Sequence, residues 1–282
     1  MTTASRQART IQLGMIGGHV ACLAALETGS SGVALVVAGS AYVLRAFGVT
    51  AGFHRLLAHG SFKVGRVTQF TLALLGSLAT QGGPLWWVSH HRNHHRYSDS
   101  AADLHSPRNR GFWYSHIGWM WDKACLETPT ANVKELFRFP ELKALQRRYP
   151  FLIVGQALAF FALGAFLDSR YPEMGTSGSQ MLVWGFFIST VALWHATFMV
   201  NSVCHVWGRQ AYESGDDSTN NPLVALLTLG EGWHNNHHKF AYSARHGLKW
   251  WQIDLTYVGL RGLEALGLAK DLKLPRTIAA GT

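Results

Sequence analysis

Nine of the fifteen histidines in this 282-residue chain recur in short, regular spacings. His54 and His59 stand five residues apart in "HRLLAH", and His205 ends the stretch "NSVCH". The other six form two H-x2-H-H triplets, which comprise His91, His94, His95, His234, His237 and His238. Residues i, i+3 and i+4 share one face of an α-helix, so each triplet is predicted to direct three imidazoles toward one point.

Imidazoles at this density indicate a metal centre with more than one ion. A tetrahedral structural zinc takes four ligands, so nine imidazoles are too many for one such ion and suit two. Imidazole binds zinc, copper, iron and nickel alike, and the ligand type by itself leaves the metal open. His19, His116 and His246 lie outside these spacings, and we expect them to be ordinary histidines of intermediate burial.

Metal-bound imidazoles usually donate their second ring N–H to an acceptor. The acceptors available near the histidines are Asp99, Asp103, Glu231 and the carbonyl groups around residues 235–236. Asn201 lies four residues before His205, hence on the same helical face, and we expect it to bind directly, through water or as a hydrogen-bond partner. His54 and His59 point about 140° apart on a straight α-helix, so we expect them to flank the metal pair or to lie at a helix bend.

Four apolar segments must position these residues. A bilayer span needs about 20 mostly apolar residues, and we predict spanning helices over about residues 11–27, 32–51, 151–167 and 181–203. A fifth stretch, Val67–Val88, is interrupted at Thr80–Pro84, and we predict an interfacial or buried helix there. The alternative, buried helices of a large soluble core, is disfavoured because long polar, histidine-bearing stretches alternate with the apolar ones. The predicted fold is an all-α polytopic membrane protein with four transmembrane helices.

Two hairpins of these spans place both termini and all nine histidines on one side of the membrane. We expect a single domain over residues 1–282, in which residues 52–150 and 204–282 form a helical cap around a di-metal centre. The short connections on the opposite side contain one basic residue, Arg170, so the positive-inside rule makes the cap cytosolic. Within the spans we expect His19, Arg45 and His195 to form no chain, and Arg45 to extend its cation toward the interface.

The net charge restricts the possible binding partners, and the cysteine content indicates the redox compartment. The formal net charge of +9 suits an anionic membrane surface, an acidic redox partner or a phosphate-bearing substrate. No nucleic-acid recognition motif accompanies this charge, so we expect no nucleic-acid partner. Cys22, Cys125 and Cys204 form neither a CxxC motif nor a disulfide framework, as is typical of a reducing compartment.

The histidine motifs and their surroundings resemble those of membrane fatty-acyl desaturases of the stearoyl-CoA (Δ9) type. The motifs that carry the resemblance are, in order, "GVTAGFHRLLAH", "HHRNHHRYSDSAADLHSPRNRGFWYSHIGW", "NSVCHVWG" and "GEGWHNNHHKFAYSAR". The resemblance covers about His54 to Leu268. It implies four transmembrane helices, a cytosolic cap and two iron ions, whose ligands map onto the nine histidines, with Asn201 acting through water. It also implies O2-dependent insertion of a cis double bond, at the Δ9 position, into a long saturated acyl chain.

The chain departs from the vertebrate acyl-CoA pattern at positions where that pattern carries basic residues. Lys123 stands alone beside Asp122 in "GWMWDKACLE", and Ser89 stands where that pattern has a basic residue. The acyl headgroup is therefore open among coenzyme A, a membrane lipid and an acyl carrier protein. The resemblance further implies a separate electron donor, such as ferredoxin, rubredoxin or cytochrome b5 with its reductase. It implies an integral protein of a bacterial inner membrane, surrounded by lipid, with a cytoplasmic active site.

The second and fourth spans run directly into His54 and His205, so residues one to three turns earlier are expected to line the far end of an acyl tunnel. Ala38 and Tyr42 are four residues apart on the second span and share one face. We expect the bulk of Tyr42 to stop the methyl end of the chain. The alternative is a tyrosine packed against a neighbouring span.

Two other functions use some of the same features. A histidine-box hydroxylase or alkane monooxygenase has similar ligands but adds oxygen to its substrate. A metal transporter or sensor needs ionisable residues along a path through the spans. The context of the motifs favours the desaturase.

Overall fold

The structure, a computed structural model, describes residues 2–276 and is mostly helical. The α-helices are α1 (Thr3–Cys22), α2 (Ala25–Thr28), α3 (Gly32–Phe47), α4 (Arg66–Leu78), α5 (Pro84–Tyr97), α6 (Pro107–Arg110), α7 (Phe112–His116), α8 (Pro140–Arg170), α9 (Gly178–Met181), α10 (Ser189–Ser202), α11 (Pro222–Leu227), α12 (His234–Lys239) and α13 (Leu255–Ala265). Two π-helices span Gly48–Ala58 and Leu182–Ile188. Short 3-10 helices span Gly118–Trp121, Lys123–Cys125, Thr130–Asn132, Lys134–Arg138, Pro172–Met174 and Val203–His205.

Four helical stretches are long and apolar enough to cross a membrane, as predicted. They are span 1 (Thr3–Thr28), span 2 (Gly32–Ala58), span 3 (Pro140–Arg170) and span 4 (Gly178–His205). Each is longer than the apolar segment from which it was predicted, because the helix continues into polar residues at its ends. Span 3, for example, begins at Pro140, a residue that suits the first turn of a helix because it lacks an N–H group.

The four spans divide into an inner and an outer pair. In spans 2 and 4, 33% and 50% of the most apolar window is buried, against 11% and 6% in spans 1 and 3. Helices that bury so little of an apolar surface need an apolar surround, which a bilayer supplies. The inner pair contains His54 and His205, near the ends of spans 2 and 4.

Span 2 changes from α-helix to π-helix where α4 packs against it. A Cβ atom at Gly48 would lie 2.2 Å from the Gly76 nitrogen, and one at Gly52 would lie 2.7 Å from the Leu72 carbonyl oxygen. The two helices therefore meet backbone to backbone, an approach that only glycine permits.

The stretch Val67–Val88 forms two helices, α4 and α5, and is not among the four spans. The chain turns between them at the predicted interruption, where Thr80 and Gly82 have φ angles of 57° and 99°. This turn directs α5, with the first histidine triplet, away from α4.

A two-stranded antiparallel sheet joins the segment after span 2 to the end of the described chain. β1 (Lys63–Val64) pairs with β2 (Ala269–Lys270), with Val64 opposite Ala269. The pairing holds the segment after α13 beside the π-helix of span 2.

Arg45 does not extend toward the interface, and that prediction was wrong. Its guanidinium is buried between spans 2 and 4, where Nη1 donates to Thr190 Oγ1 at 2.7 Å and Nη2 donates to Ser189 Oγ. Span 4 supplies two hydroxyl acceptors at the depth of Arg45, so the cation is bonded in place.

His19 and His195 form a hydrogen-bonded chain with His116, and the prediction that His19 and His195 form no chain was also wrong. His19 Nε2 lies 2.9 Å from His195 Nε2, and His195 Nδ1 lies 2.9 Å from His116 Nε2. The chain continues from His116 Nδ1 to Ser202 Oγ at 2.9 Å, and it ends at the Met15 carbonyl, 2.7 Å from His19 Nδ1. These rings come from α1, α10 and α7, so no local spacing in the sequence links them.

Candidate metal centre

All nine predicted histidines converge in two adjoining clusters. The first cluster comprises His54, His59, His91, His95 and His237. The second cluster comprises His94, His205, His234 and His238. Within each cluster, one ring nitrogen per residue lies within 4.8 Å of those of all the others.

Each H-x2-H-H triplet is shared between the clusters, so the prediction that a triplet converges on one point was wrong. On α5, His91 and His95 belong to the first cluster and His94 to the second; on α12, His234 and His238 belong to the second cluster and His237 to the first. Positions i+3 and i+4 of an α-helix point about 100° apart. This angle places the i+3 ring in one cluster and the i, i+4 pair in the other.

The π-helix explains how His54 and His59 reach one cluster. In a π-helix residue i bonds to residue i+5, so residues five apart stand one above the other. The His59 N–H donates to the His54 carbonyl at 3.2 Å, and the two ring centroids are 4.9 Å apart. The change of helix type therefore removes the angle that a straight α-helix would place between them.

Four buried carboxylates accept from the Nδ1 atoms of four cluster histidines. The pairs are His54 with Glu231 at 2.5 Å, His94 with Asp103 at 2.9 Å, His205 with Asp99 at 2.9 Å and His238 with Asp216 at 2.5 Å. An ionised carboxylate only accepts hydrogen bonds, so each of these rings carries its proton on Nδ1 and its lone pair on Nε2. Three of these carboxylates were expected as acceptors from the sequence. The carbonyl groups around residues 235–236 do not take that role here.

The Nε2 atoms face one another inside the clusters. His59 and His91 are 2.8 Å apart at Nε2, and His237 Nε2 lies 2.8 Å from that of His95 and 3.0 Å from that of His54. Two nitrogens that bind one ion at about 2.0–2.1 Å each are themselves roughly 3 Å apart. Buried Nε2 atoms of His94 and His238 have no protein partner in the described residues. This donor set fits transition-metal ions.

Burial favours the neutral form of several of these imidazoles, which is the form that binds metal. It lowers the pKa of His91, His95 and His234 well below the ordinary value, and neighbouring imidazoles lower it further. Burial also lowers the pKa of His238, to about 4, although the hydrogen bond to Asp216 opposes it.

The carboxylates remain ionised in the same surroundings. Burial alone would raise the pKa of Asp99, but the hydrogen bonds from His205, Ser106 and the Asp217 N–H outweigh it and hold that pKa below its usual range. His94 has the same effect on the pKa of Asp103.

Arg55 compensates the charge of the carboxylate behind His54. Its side chain is fully buried, with Nη2 3.0 Å from Glu231 Oε1 and from Asp254 Oδ1. Asp254 also accepts from the backbone N–H of His246 at 2.7 Å. The carboxylate that orients His54 is thus held by a buried ionic network, whose disruption is typically costly.

Two buried histidines and one carboxylate beside the clusters were missed by sequence reasoning. The His246 ring lies 4.5 Å from that of His237, and the His105 ring lies 4.5 Å from that of His94. The missed carboxylate is Asp216. None of the three has a regular spacing to the triplets, so the sequence carried no signal for them.

Three further residues, Asn201, Ala38 and Tyr42, were predicted to take part in the site. Asn201 precedes His205 by one turn, and its carbonyl accepts from Ser115 Oγ at 2.9 Å; its role through water stays a prediction. Tyr42 donates its hydroxyl proton to the Leu227 carbonyl at 2.6 Å, and Ala38 is buried one turn earlier. Their place in an acyl tunnel also stays a prediction.

An apolar cavity of about 610 Å³ is connected to the centre through α5, which contributes Trp86 to the cavity wall and His91, His94 and His95 to the clusters. Residues of α1, α8 and span 4 line it, together with Thr80, Gly82 and Trp86. Trp86 is in the first turn of α5, the helix that bears the first triplet, and its neighbour Trp87 stacks on His91 with centroids 4.9 Å apart. Ala38 and Tyr42 are not among the residues that line this cavity.

Comparison with known proteins identifies one family. The family model described as "Fatty acid desaturase" matches residues 31–269. The chain is 43% identical over 268 residues to an acyl-CoA 5-desaturase of Anemone leveillei, which covers 94% of this chain and 79% of that protein. It is 41% identical over 263 residues to an sn-1 stearoyl-lipid 9-desaturase of Anabaena variabilis, covering 92% and 91%. It is 43% identical over 246 residues to a chloroplastic palmitoyl-monogalactosyldiacylglycerol delta-7 desaturase of Arabidopsis thaliana, covering 86% and 62%.

Proposed function

The chain belongs to the fatty acid desaturase family, and on that premise we propose that it inserts a cis double bond at carbon 9 of a long saturated acyl chain. It is an oxidoreductase of the acyl-lipid or acyl-CoA desaturase type. The observation that carries the proposal is the pair of adjoining histidine clusters, oriented by four carboxylates and connected through α5 to an apolar cavity. The 9-position is supported by relatives of that specificity, whereas other relatives act at position 5 or 7.

The two clusters would hold two iron ions. When bound, the irons supply the redox chemistry with which O2 takes two hydrogens from adjacent carbons. The reaction converts –CH2–CH2– to –CH=CH– with O2, two electrons and two protons, and it releases two waters. The histidines bind the ions, and Asp99, Asp103, Asp216 and Glu231 hold four of the rings in the required tautomer.

Protein side chains also keep water away from the reacting carbons. His54, His94, His205, His234 and His237 are all buried, and Trp87 covers the face of His91. A dry site strengthens each electrostatic contact inside it and prevents side reactions. The apolar cavity, whose wall includes Trp86, would hold one acyl chain.

We assign the electrons to a separate donor, such as ferredoxin, rubredoxin or cytochrome b5 with its reductase. The histidine side of the four spans carries most of the basic residues, so we place it in the cytoplasm, or on the corresponding face of the membrane that holds the protein. An acidic electron carrier would be attracted to that face.

Lipid analysis of a host without its own desaturase tests the function. We expect expression of the chain to yield a mono-unsaturated acyl chain with two hydrogens fewer and a cis bond at carbon 9. The His237→Ala variant should yield none, whereas Lys239→Ala, an exposed position on the same helix, should match the parent. A product that has gained an oxygen atom would instead assign the chain as a hydroxylase.

The metal is tested on the purified protein. Two irons per chain are expected by elemental analysis, with zinc as a replacement during overexpression. A protein that retains its fold but binds a single ion of any metal would contradict the two-ion assignment.

A further inference from the structure

We propose that the acyl chain enters the cavity sideways from the bilayer between α1 and α8, so that the substrate is a membrane glycerolipid and not a soluble acyl-CoA thioester. This inference rests on the proposed function and names the substrate class of the same site. Three observations carry it: the position of the cavity, the state of its polar groups and the charge of its walls.

The cavity lies between the two outer spans. On α1 it is lined by Gly14, Met15 and Gly18, and on α8 by Tyr149, Pro150 and Ile153. In the described chain, α1 and α8 both pack against the π-helix Leu182–Ile188 but make at most marginal contact with each other. Spans 1 and 3 bury only 11% and 6% of their apolar windows. The gap between these helices therefore faces the lipid, and the glycines of α1 keep it open.

Three polar side chains in the cavity wall, Gln146, Tyr149 and Trp86, already bond to the protein. Gln146 Oε1 accepts from the backbone N–H groups of Leu85 and Trp86 at 3.0 and 3.1 Å. The Tyr149 hydroxyl accepts from the Gly82 N–H at 2.9 Å, and the Trp86 indole donates to the Cys125 carbonyl at 2.7 Å. The surface that remains suits a hydrocarbon chain.

No lysine, arginine or histidine of the described residues lines the cavity. Coenzyme A carries several phosphate charges, and proteins bind such groups with arginine or lysine. Arg9 and Lys123 border a separate hollow on another face of α1. The walls thus fit an acyl chain whose headgroup stays in the membrane surface, as that of a glycerolipid does.

A substrate comparison tests the proposal directly. The iron-loaded protein in lipid nanodiscs, with an electron donor, is offered labelled stearoyl groups either in phosphatidylcholine or in stearoyl-CoA. We expect double bonds in the glycerolipid pool and none in the thioester. Desaturation of the thioester in preference to the lipid would overturn the inference and leave the proposed function intact. Absence of product from every acyl donor would overturn the proposed function itself.

Photo-cross-linking gives a readout that does not depend on turnover. Phosphatidylcholine with a diazirine on its acyl chain should label peptides of α1 and α8 that line the cavity, around Gly14 and Tyr149. Labelling confined to the outer surface of these helices, with the cavity residues unlabelled, would contradict sideways entry.

A matched pair of glycine variants locates the entrance. A Cβ atom at Gly14 or at Gly17 meets no atom within 4 Å, so α1 should fold in both variants, but only Gly14 lines the cavity. We expect Gly14→Trp to lower cavity labelling and lipid desaturation by about tenfold or more, which is about 1.4 kcal/mol, whereas Gly17→Trp stays at the parent level. Equal effects of the two variants would remove α1 from the entry path.

Discussion

Single hydrogen bonds decide which nitrogen of each imidazole faces the metal centre. The carboxylates of Asp99, Asp103, Asp216 and Glu231 each fix one ring, because an ionised carboxylate accepts a proton at Nδ1 and leaves Nε2 free. Without such a partner a neutral ring can carry its proton on either nitrogen. Part of its population then points an N–H group at the metal, and affinity falls.

Asp216→Ala tests this orienting role at His238. We expect metal affinity to fall by about 10–100-fold, the usual effect of losing such an outer partner, and Asp216→Asn to fall less because its amide oxygen still accepts. Metal retention against a chelator is the measurement. Asp217→Ala is the control, since Asp217 is more exposed and its backbone N–H, which donates to Asp99, remains. Equal retention in all three variants would contradict the role of Asp216.

Asn201→Ala separates a ligand from a water-mediated contact. If Asn201 acts through water, its loss should reduce metal affinity and activity by about 10–100-fold. His205→Ala, which removes a ring of the second cluster, should abolish both. Metal content and product formation are measured in each variant. Complete and equal loss in the two would identify Asn201 as a direct ligand.

The nine histidines could be predicted because repeated local spacings reveal them. The residues behind them could not. Asp216 lies far from His238 along the chain, and the segment between them, which includes α11, gives the two residues no regular spacing. His105 and His246 are recognised as neighbours of the clusters only once α5 and α12 are packed together.

At the scale of elements, the π-helix of span 2 has the largest effect on the site. Sequence spacing on a straight α-helix left His54 and His59 on different faces, and it allowed a bend as the alternative. The π-helix arises where α4 presses against Gly48 and Gly52, a tertiary contact that hydrophobic periodicity does not encode. The four apolar helices, in contrast, were predictable from composition alone.

Gly48→Ala is expected to disrupt this packing. The new methyl group would lie 2.2–2.3 Å from backbone atoms of α4, and overpacking of this kind typically destabilises by about 1–3 kcal/mol or more. We also expect lower metal content, because the element that carries His54 must move. Thermal unfolding in detergent and elemental analysis measure both. Gly39→Ala, at an open position on α3, should leave both at or above parent values, and similar losses in the two variants would refute the explanation.

Span 2 also carries the predicted end of the acyl tunnel. If Tyr42 stops the methyl end, Tyr42→Ala should favour longer acyl chains and Ala38→Trp shorter ones. The bond position counted from the carboxyl end should stay fixed, because the metal ligands do not move. Tyr42→Phe controls for loss of the hydrogen bond to Leu227. An unchanged distribution of product chain lengths in both test variants would exclude the two residues from the tunnel.

At the scale of the whole molecule, the two inner spans carry histidines of the clusters, and the two outer spans face the lipid. Hydropathy predicted all four but could not rank them, because burial depends on which helices pack together. The two clusters are likewise a property of the assembled protein. Each of α5 and α12 contributes rings to both, so the clusters share their supporting helices.

This sharing predicts that the two ions are lost together. His94→Ala removes a ring of the second cluster only, yet it should lower the metal content of the purified protein well below one ion per chain. The physical reason is that an unfilled second cluster loosens α5 and thereby His91 and His95. Elemental analysis combined with iron spectroscopy makes the measurement. A stable species with one ion in the first cluster would contradict it.

The histidine chain between spans 1 and 4 has only one arrangement of protons when it is neutral. The Met15 carbonyl can only accept, so His19 carries hydrogen on Nδ1 and accepts at Nε2 from His195. His195 then accepts at Nδ1 from His116. His116 in turn accepts at Nδ1 from the Ser202 hydroxyl. Every donor points in the same direction along the chain.

One added proton costs this chain no hydrogen bond. The Ser202 hydroxyl can turn to the Phe198 carbonyl, 3.0 Å away, while His116 Nδ1 donates to Ser202 Oγ in its place. The positive charge is then shared along a row of rings. The link between the outer and inner spans therefore keeps the same number of hydrogen bonds in either charge state, although burial and the neighbouring His195 lower the pKa of His116 to about 4 and so disfavour the charged form.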